Sequence, residues 1–256
     1  MAIRASAKVI GRHLVRVLRR TPKPYSYYQP QDISPEQWTA IDRGDLGWLL
    51  KQHVDGHLDR VCADRAILVL NAIRRRFENG GFSLLDLGCN TGFFCHFFAR
   101  HGFRVTGVDT NSHNAVKGTT KDAATPVLET ARRLSARYGV VGNFVDADVA
   151  EFLDSTTERY DFVLCLSLFH HFLDPGNAYA GAARCDPNQV LCRTAAVAKR
   201  AFYFEMDHID GDRSGYREED LPSILSKIDG VETVNVIGIS VDAWRRYRNI
   251  YECLKS

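Results

Sequence analysis

Residues 82–109 read FSLLDLGCNTGFFCHFFARHGFRVTGVD, and the fold is decided there. Ser83 to Leu87 is a short apolar run bounded by turn residues, the pattern of a buried strand. Gly88-Cys89-Asn90-Thr91-Gly92 makes a tight turn that feeds an apolar helical stretch, Phe93 to Arg100, closed by Gly102. Arg104 to Val108 is a second strand ending on Asp109. The unit is therefore βαβ, with its glycines at the strand-to-helix turn, where a ligand can come close to main-chain amides at a helix N-terminus. Two glycines four apart are a weak signal alone. A carboxylate at the end of the next strand, placed to accept hydrogen bonds from ribose hydroxyls, strengthens it.

The details point away from a dinucleotide. A pyrophosphate loop needs G-x-G-x-x-G, and this turn lacks the middle glycine. It carries instead an acid on the preceding strand, Asp86, which would repel a diphosphate and suits a cationic ligand. S-adenosyl-L-methionine (SAM), with its ammonium and sulfonium, is such a ligand. The run LDLGCNTGFF, residues 85–94, resembles motif I of the Rossmann-like, class I SAM-dependent methyltransferases. The resemblance implies an α/β fold with a doubly wound, mostly parallel seven-stranded sheet. It also implies that Asp86, Gly88, Asn90 and Gly92 hold the methionine end of the cofactor and Asp109 the ribose. The acid after the third strand, Asp148, then lies beside the adenine amine, with the amide of Val149 next to the ring. Leu166, at the end of the fourth strand, completes the implied cofactor set.

The chain has 256 residues, 45% apolar and 25% charged, enough for one domain with additions. Its net charge of +2 hides an asymmetry. Residues 1–31 hold seven Lys/Arg and no acid, while the remaining 225 residues carry 26 basic and 31 acidic groups. A mildly acidic body argues against an extended nucleic-acid footprint. The seven cysteines are odd in number and include no C-x-x-C, so they read as reduced thiols of a cytoplasmic protein. No apolar run approaches the ~20 residues of a membrane span.

In chain order, residues 1–20 place Arg4, Lys8, Arg12, Arg16, Arg19 and Arg20 on one helical face. Ile3, Ala7, Ile10, Leu14, Val17 and Leu18 fall on the other. Such a helix suits weak association with a membrane surface, here the inner face, or docking on the body or on a second subunit. Pro22, Pro24 and Pro30 make residues 21–31 an extended linker. Ser34-Pro35-Glu36-Gln37 opens a helical cap over residues 32–80, with a last amphipathic stretch from Ala63 to Phe77. His53 and His57 share a helix face but have no further ligands, so no metal site is expected. The ligand-binding domain spans residues 81–256.

Beyond the second strand the pattern gives a helix over 121–138 interrupted at Pro126, a strand over 140–145, and a short helix from Val149. Tyr160 to Leu166 is the fourth strand, followed by SLFHHFLDP. Ligands meet outside the carboxyl ends of such strands. His170 and His171 are thus candidates to take a hydroxyl proton during methyl transfer, one serving the substrate while the other packs. Arg200 to Met206 is a fifth strand, and Glu205, Asp207 and His208 at its end are candidates to orient a substrate or a catalytic histidine. Helix is expected over 218–228, and the last two strands over 231–239 and 249–254. The arginine-rich connection Trp244 to Arg248 is either an anion clamp or an exposed link.

Within the family, LSLFHHF (residues 166–172) resembles small-molecule and sugar methyltransferases, including the methyltransferase part of O-antigen chain-terminating enzymes. The expectation is O-methylation of a small-molecule or glycan acceptor, bearing sugar or phosphate. An RNA or tRNA methyltransferase using residues 1–20 as a basic arm is the alternative, and a catalytically silent SAM-binding partner subunit is a third.

Overall fold

The computed structural model describes residues 63–78, 80–110, 126–173, 185–206, 216–241 and 247–256. The basic helix, the proline linker, His53, His57, Asp207, His208, Trp244, Arg245 and Arg246 lie outside those residues. Seven strands form one sheet: β1 (Ser83–Leu87), β2 (Arg104–Asp109), β3 (Gly142–Asp146), β4 (Tyr160–Leu166), β5 (Ala198–Glu205), β6 (Val231–Val241) and β7 (Tyr247–Lys255). Their order across the sheet is 3-2-1-4-5-7-6. The first five strands are parallel, while β7 runs antiparallel to both β5 and β6. The terminal pair is the expected hairpin-like end.

The central strands are apolar on both faces because helices cover both. Leu84, Phe162, Leu164 and Tyr203 enter one core together with α1 (Ala63–Arg76), α2 (Phe93–Arg100) and α3 (Val127–Tyr138). Their chain neighbours Leu85, Val163 and Phe204 enter the other. That second core packs against α4 (Val149–Ser155), α6 (Pro187–Val197) and α7 (Leu221–Leu225). A single-turn α5 (His170–Leu173) sits at the carboxyl end of β4. Alternate burial on two faces is the period-two rule of a strand applied to a doubly wound sheet. At the other end, the Asp161 carboxylate ties β4 to β1 by accepting the amide and hydroxyl of Ser83, each at 2.8 Å.

Several boundaries shift for local reasons. The third strand begins at Gly142 rather than Val140, because α3 ends in a left-handed cap at Gly139 (φ 62°). The Val140 amide there still bonds back to the Ser135 carbonyl at 3.1 Å. Pro126 caps α3, so the described part of that helix starts at Val127. The helix expected over 218–228 is split into a 3-10 turn, Glu218–Asp220, and the five-residue α7. Pro222 in the first turn of α7 supplies no amide to a preceding turn.

Candidate active site

The turn from β1 into α2 has the geometry its glycines permit. Gly88 and Gly92 adopt φ of 70° and 80°. A Cβ on Gly92 would stand 2.9 Å from the Phe144 ring, so both backbone and packing demand glycine there. Asn90 is also left-handed, at φ 51°, a conformation asparagine tolerates better than most residues.

The amides of this turn are committed within the protein. Those of Gly88 and Cys89 donate to the Val108 carbonyl at 2.9 and 3.0 Å. The Asn90 amide donates to Asp109 Oδ2 at 2.7 Å, and the Thr91 amide to Asn90 Oδ1 at 2.7 Å. The Gly92 amide donates to the Cys89 carbonyl at 2.8 Å. These bonds fix the shape of the turn. Acidic acceptors are what the end of the sheet presents, and acceptors suit a cation.

Asp109 holds the turn from the side. One of its oxygens takes the Asn90 amide and the other the Thr110 amide, at 2.7 Å each. A carboxylate oxygen has a second lone pair, so ribose hydroxyls can still be accepted. Asp148 caps α4 through Oδ1 alone, which accepts from Ala150 at 2.8 Å and Glu151 at 3.2 Å. Its Oδ2 is left for another donor. Val149, next in the chain, is buried. Asp148 is thus a helix cap with one carboxylate oxygen to spare.

Asp86 lies deeper, only 2% exposed on β1, where Cys95 Sγ donates to its Oδ2 at 3.6 Å. Burial is the main influence and pushes its carboxyl up to about 8. The Cys95 hydrogen bond works against this, the charge of Asp109 adds to it, and Arg65 works against it. A bare carboxyl here is mostly protonated at neutral pH, so a cation is the partner that would ionise it. Gly107, paired with Asp86 across β1 and β2, leaves room for the thiols of Cys89 and Cys95. A Cβ there would stand 2.7 and 2.8 Å from the sulfurs of Cys89 and Cys95.

Beyond β4 the imidazoles of His170 and His171 lie together, with ring centroids 3.9 Å apart and planes at 41°. A single helical turn starting at His170 keeps the two half-buried rings side by side.

Among the described residues, Glu205 bonds to arginines and a serine rather than to a histidine. Its buried carboxylate takes Arg65 Nη1 on Oε2 and Arg248 Nη1 on Oε1, both at 2.8 Å. Burial pushes this carboxyl up, but the two guanidiniums outweigh that and hold it below the usual range. Arg248 is accordingly neither an exposed link nor an open anion clamp. Arg65, on α1, was not singled out from sequence, since its partner stands 140 residues away and only the fold brings them together.

The acids Asp86, Asp109 and Asp148 follow one another at or near the carboxyl ends of the adjacent strands β1, β2 and β3. This set of acceptors fits a ligand with a cationic end, ribose hydroxyls and an aromatic amine. A cleft of about 730 Å³ at the opposite, amino-terminal edge of β1 and β2 is lined by Arg100, Arg104, Tyr138 and Tyr160 and by no acid. It does not match such a ligand. Among the described residues no group of three His, Cys, Asp or Glu is placed to hold a metal ion, and no helix is long and apolar enough to cross a membrane.

The model of the methyltransferase-domain family matches residues 54–205, more than half of the chain. The ubiquinone biosynthesis O-methyltransferase of Saccharophagus degradans is 32% identical over 114 residues, 44% of this chain and 43% of that protein. Its counterpart from Maricaulis maris is 31% identical over 130 residues, 50% of this chain and 45% of that protein. The chain thus matches less than half the length of these curated relatives. Among solved structures, the bifunctional kinase-methyltransferase WbdD is similar with a TM-score of 0.54 at 20% identity, over 76% of this chain and 40% of that one. Magnesium protoporphyrin IX methyltransferase from Synechocystis PCC 6803, with bound SAH, gives 0.53 at 19% identity over 85% and 95%. At those identities the two structures speak for the fold. With the match spanning the glycine turn, the acids at the ends of β2 and β3, and the strand carrying Glu205, the chain belongs to the methyltransferase-domain family.

Proposed function

We propose that this chain methylates an oxygen of a small-molecule or glycan acceptor. The observation that carries the reading is the row of three carboxylates across β1, β2 and β3 beside a turn whose amides are already used. Asp86, once ionised, balances the positive methionine end. Asp109 accepts from the ribose hydroxyls while holding the turn. Asp148 offers Oδ2 to the adenine amine, and Val149 packs beside the ring. Bound there, SAM supplies a methyl carbon made electrophilic by the neighbouring sulfonium. His170 or His171, at the end of the adjacent β4, would take the acceptor's hydroxyl proton as its oxygen bonds the methyl carbon and the carbon–sulfur bond breaks, leaving S-adenosylhomocysteine. The remaining barrier is lowered by holding the acceptor in line. The names of the two curated relatives, both O-methyltransferases, support an oxygen acceptor.

Labelled SAM tested against hydroxyl-bearing small molecules, sugars, phosphosugars and RNA checks this. Product on a small hydroxyl or sugar acceptor is expected. Product on RNA alone would replace the acceptor class, and bound SAM without any product would leave a silent partner subunit. Residues 1–20 would add weak contact with anionic lipid at the inner membrane face. Their deletion should abolish vesicle binding and leave SAM binding unchanged; salt-sensitive RNA binding lost instead would assign them as an RNA arm.

A further inference from the structure

Ser167, the first residue after β4, has a left-handed backbone, φ 53°. Unlike Asn90 it has no side-chain amide that favours this, and a left-handed L-residue is costly. What surrounds it explains the conformation. Its hydroxyl accepts Arg65 Nη1 at 2.6 Å and Arg248 Nη1 at 3.1 Å, and donates to Glu205 Oε2 at 3.0 Å. Its amide donates to the Glu205 carbonyl at 3.3 Å. One donor and two acceptor positions exhaust a hydroxyl, so Ser167 has nothing left to offer a ligand. The three partners come from α1, β5 and β7 and are themselves buried.

The bend has a consequence next door. Leu168 is turned onto the glycine turn, where a Cβ built on Gly88 would stand 2.9 Å from Leu168 Cδ1. His170 and His171 follow within the same short segment, with the His171 amide bonded to the Leu168 carbonyl at 2.9 Å. We infer that Arg65, Glu205 and Arg248 are positioning residues that clamp Ser167 in its left-handed bend, and so lock the Leu168–His171 segment onto the cofactor turn. Neither guanidinium needs to touch cofactor or acceptor. The clamp makes the binding-competent shape the dominant one, and any loss of that population appears as a weaker affinity. The inference rests on the proposed cofactor site.

The full chain is titrated calorimetrically with S-adenosylhomocysteine as wild type, Ser167→Ala and Ser167→Gly. Both variants lose the hydroxyl, but only glycine is at ease at positive φ. Alanine should weaken binding roughly tenfold, the equilibrium cost of a left-handed L-residue, while glycine stays within about threefold of wild type. Arg248→Met should weaken it similarly, and Arg248→Met/Ser167→Gly should recover most of the loss. If Arg248→Met does not fold, the alanine–glycine pair still decides. Equal affinities for alanine and glycine would overturn the clamp. No binding by the wild type would instead bring down the cofactor reading, and the inference with it.

Discussion

Replacing Asp86 with asparagine should make the protein more stable at alkaline pH and weaken its hold on the cofactor. The carboxyl is fully buried and its folded-state value is raised from an ordinary 3.8 to about 8. A raised acid keeps its proton in the folded chain after the unfolded chain has lost it. Its contribution to stability is therefore whole below pH 3.8 and drains away as pH rises through 8. Between pH 5 and pH 8 the loss is roughly 3–4 kcal/mol, at 1.36 kcal/mol for each pH unit over which the proton difference is complete. Asparagine is near-isosteric and does not titrate, so Asp86→Asn should abolish that slope. Urea unfolding of both proteins at pH 5 and pH 8 isolates the term, because every other titrating group is shared. Binding should move in the opposite sense. If the ligand needs the ionised carboxylate, wild-type affinity for S-adenosylhomocysteine should rise about fiftyfold from pH 6 to pH 8, and the asparagine variant should bind weakly and without that dependence. An affinity flat across this range, or a stability difference that does not grow with pH, would refute the role given to Asp86.

Three further outcomes follow from the same geometry. Asp109→Ala removes the acceptor for the Asn90 and Thr110 amides as well as for ribose. It should cost about 1–3 kcal/mol in urea unfolding and lower cofactor affinity by two orders of magnitude or so, and unchanged calorimetry would contradict it. Gly107→Ala should destabilise by about 1–3 kcal/mol through collision with the Cys89 and Cys95 sulfurs, and adding Cys89→Ala should restore part of the loss. Replacing His170 and His171 together with alanine should slow product formation by about 10²–10⁴ at unchanged S-adenosylhomocysteine affinity; full turnover would make them packing residues.

The βαβ unit of residues 82–109 was legible because its signals are local: an apolar run, glycines at fixed offsets and an acid at the next strand end. The same holds for Asp148, whose capping of α4 is written in the residues that follow it. What the sequence hid is long-range or a matter of geometry. The Glu205 cluster could be placed beside the β4 loop by strand adjacency, and Leu166 does pair with Glu205. That the carboxylate faces Arg65 and Arg248 depends on how α1 and β7 cross the sheet, which no periodicity encodes. The use of the turn's own amides was equally hidden, since it follows from the left-handed backbone at Gly88, Asn90 and Gly92 rather than from residue type. Where a strand began, at Gly142 rather than Val140, the deciding factor was a cap that carried the helix exit two residues further.

The most direct measurement is a crystal structure of the chain with S-adenosylhomocysteine at saturating concentration. The account predicts the ligand across the carboxyl ends of β1, β2 and β3, its ribose hydroxyls on Asp109 and its ammonium facing Asp86. Density in the cleft at the amino-terminal edge instead, or a ligand out of reach of all three carboxylates, would contradict it.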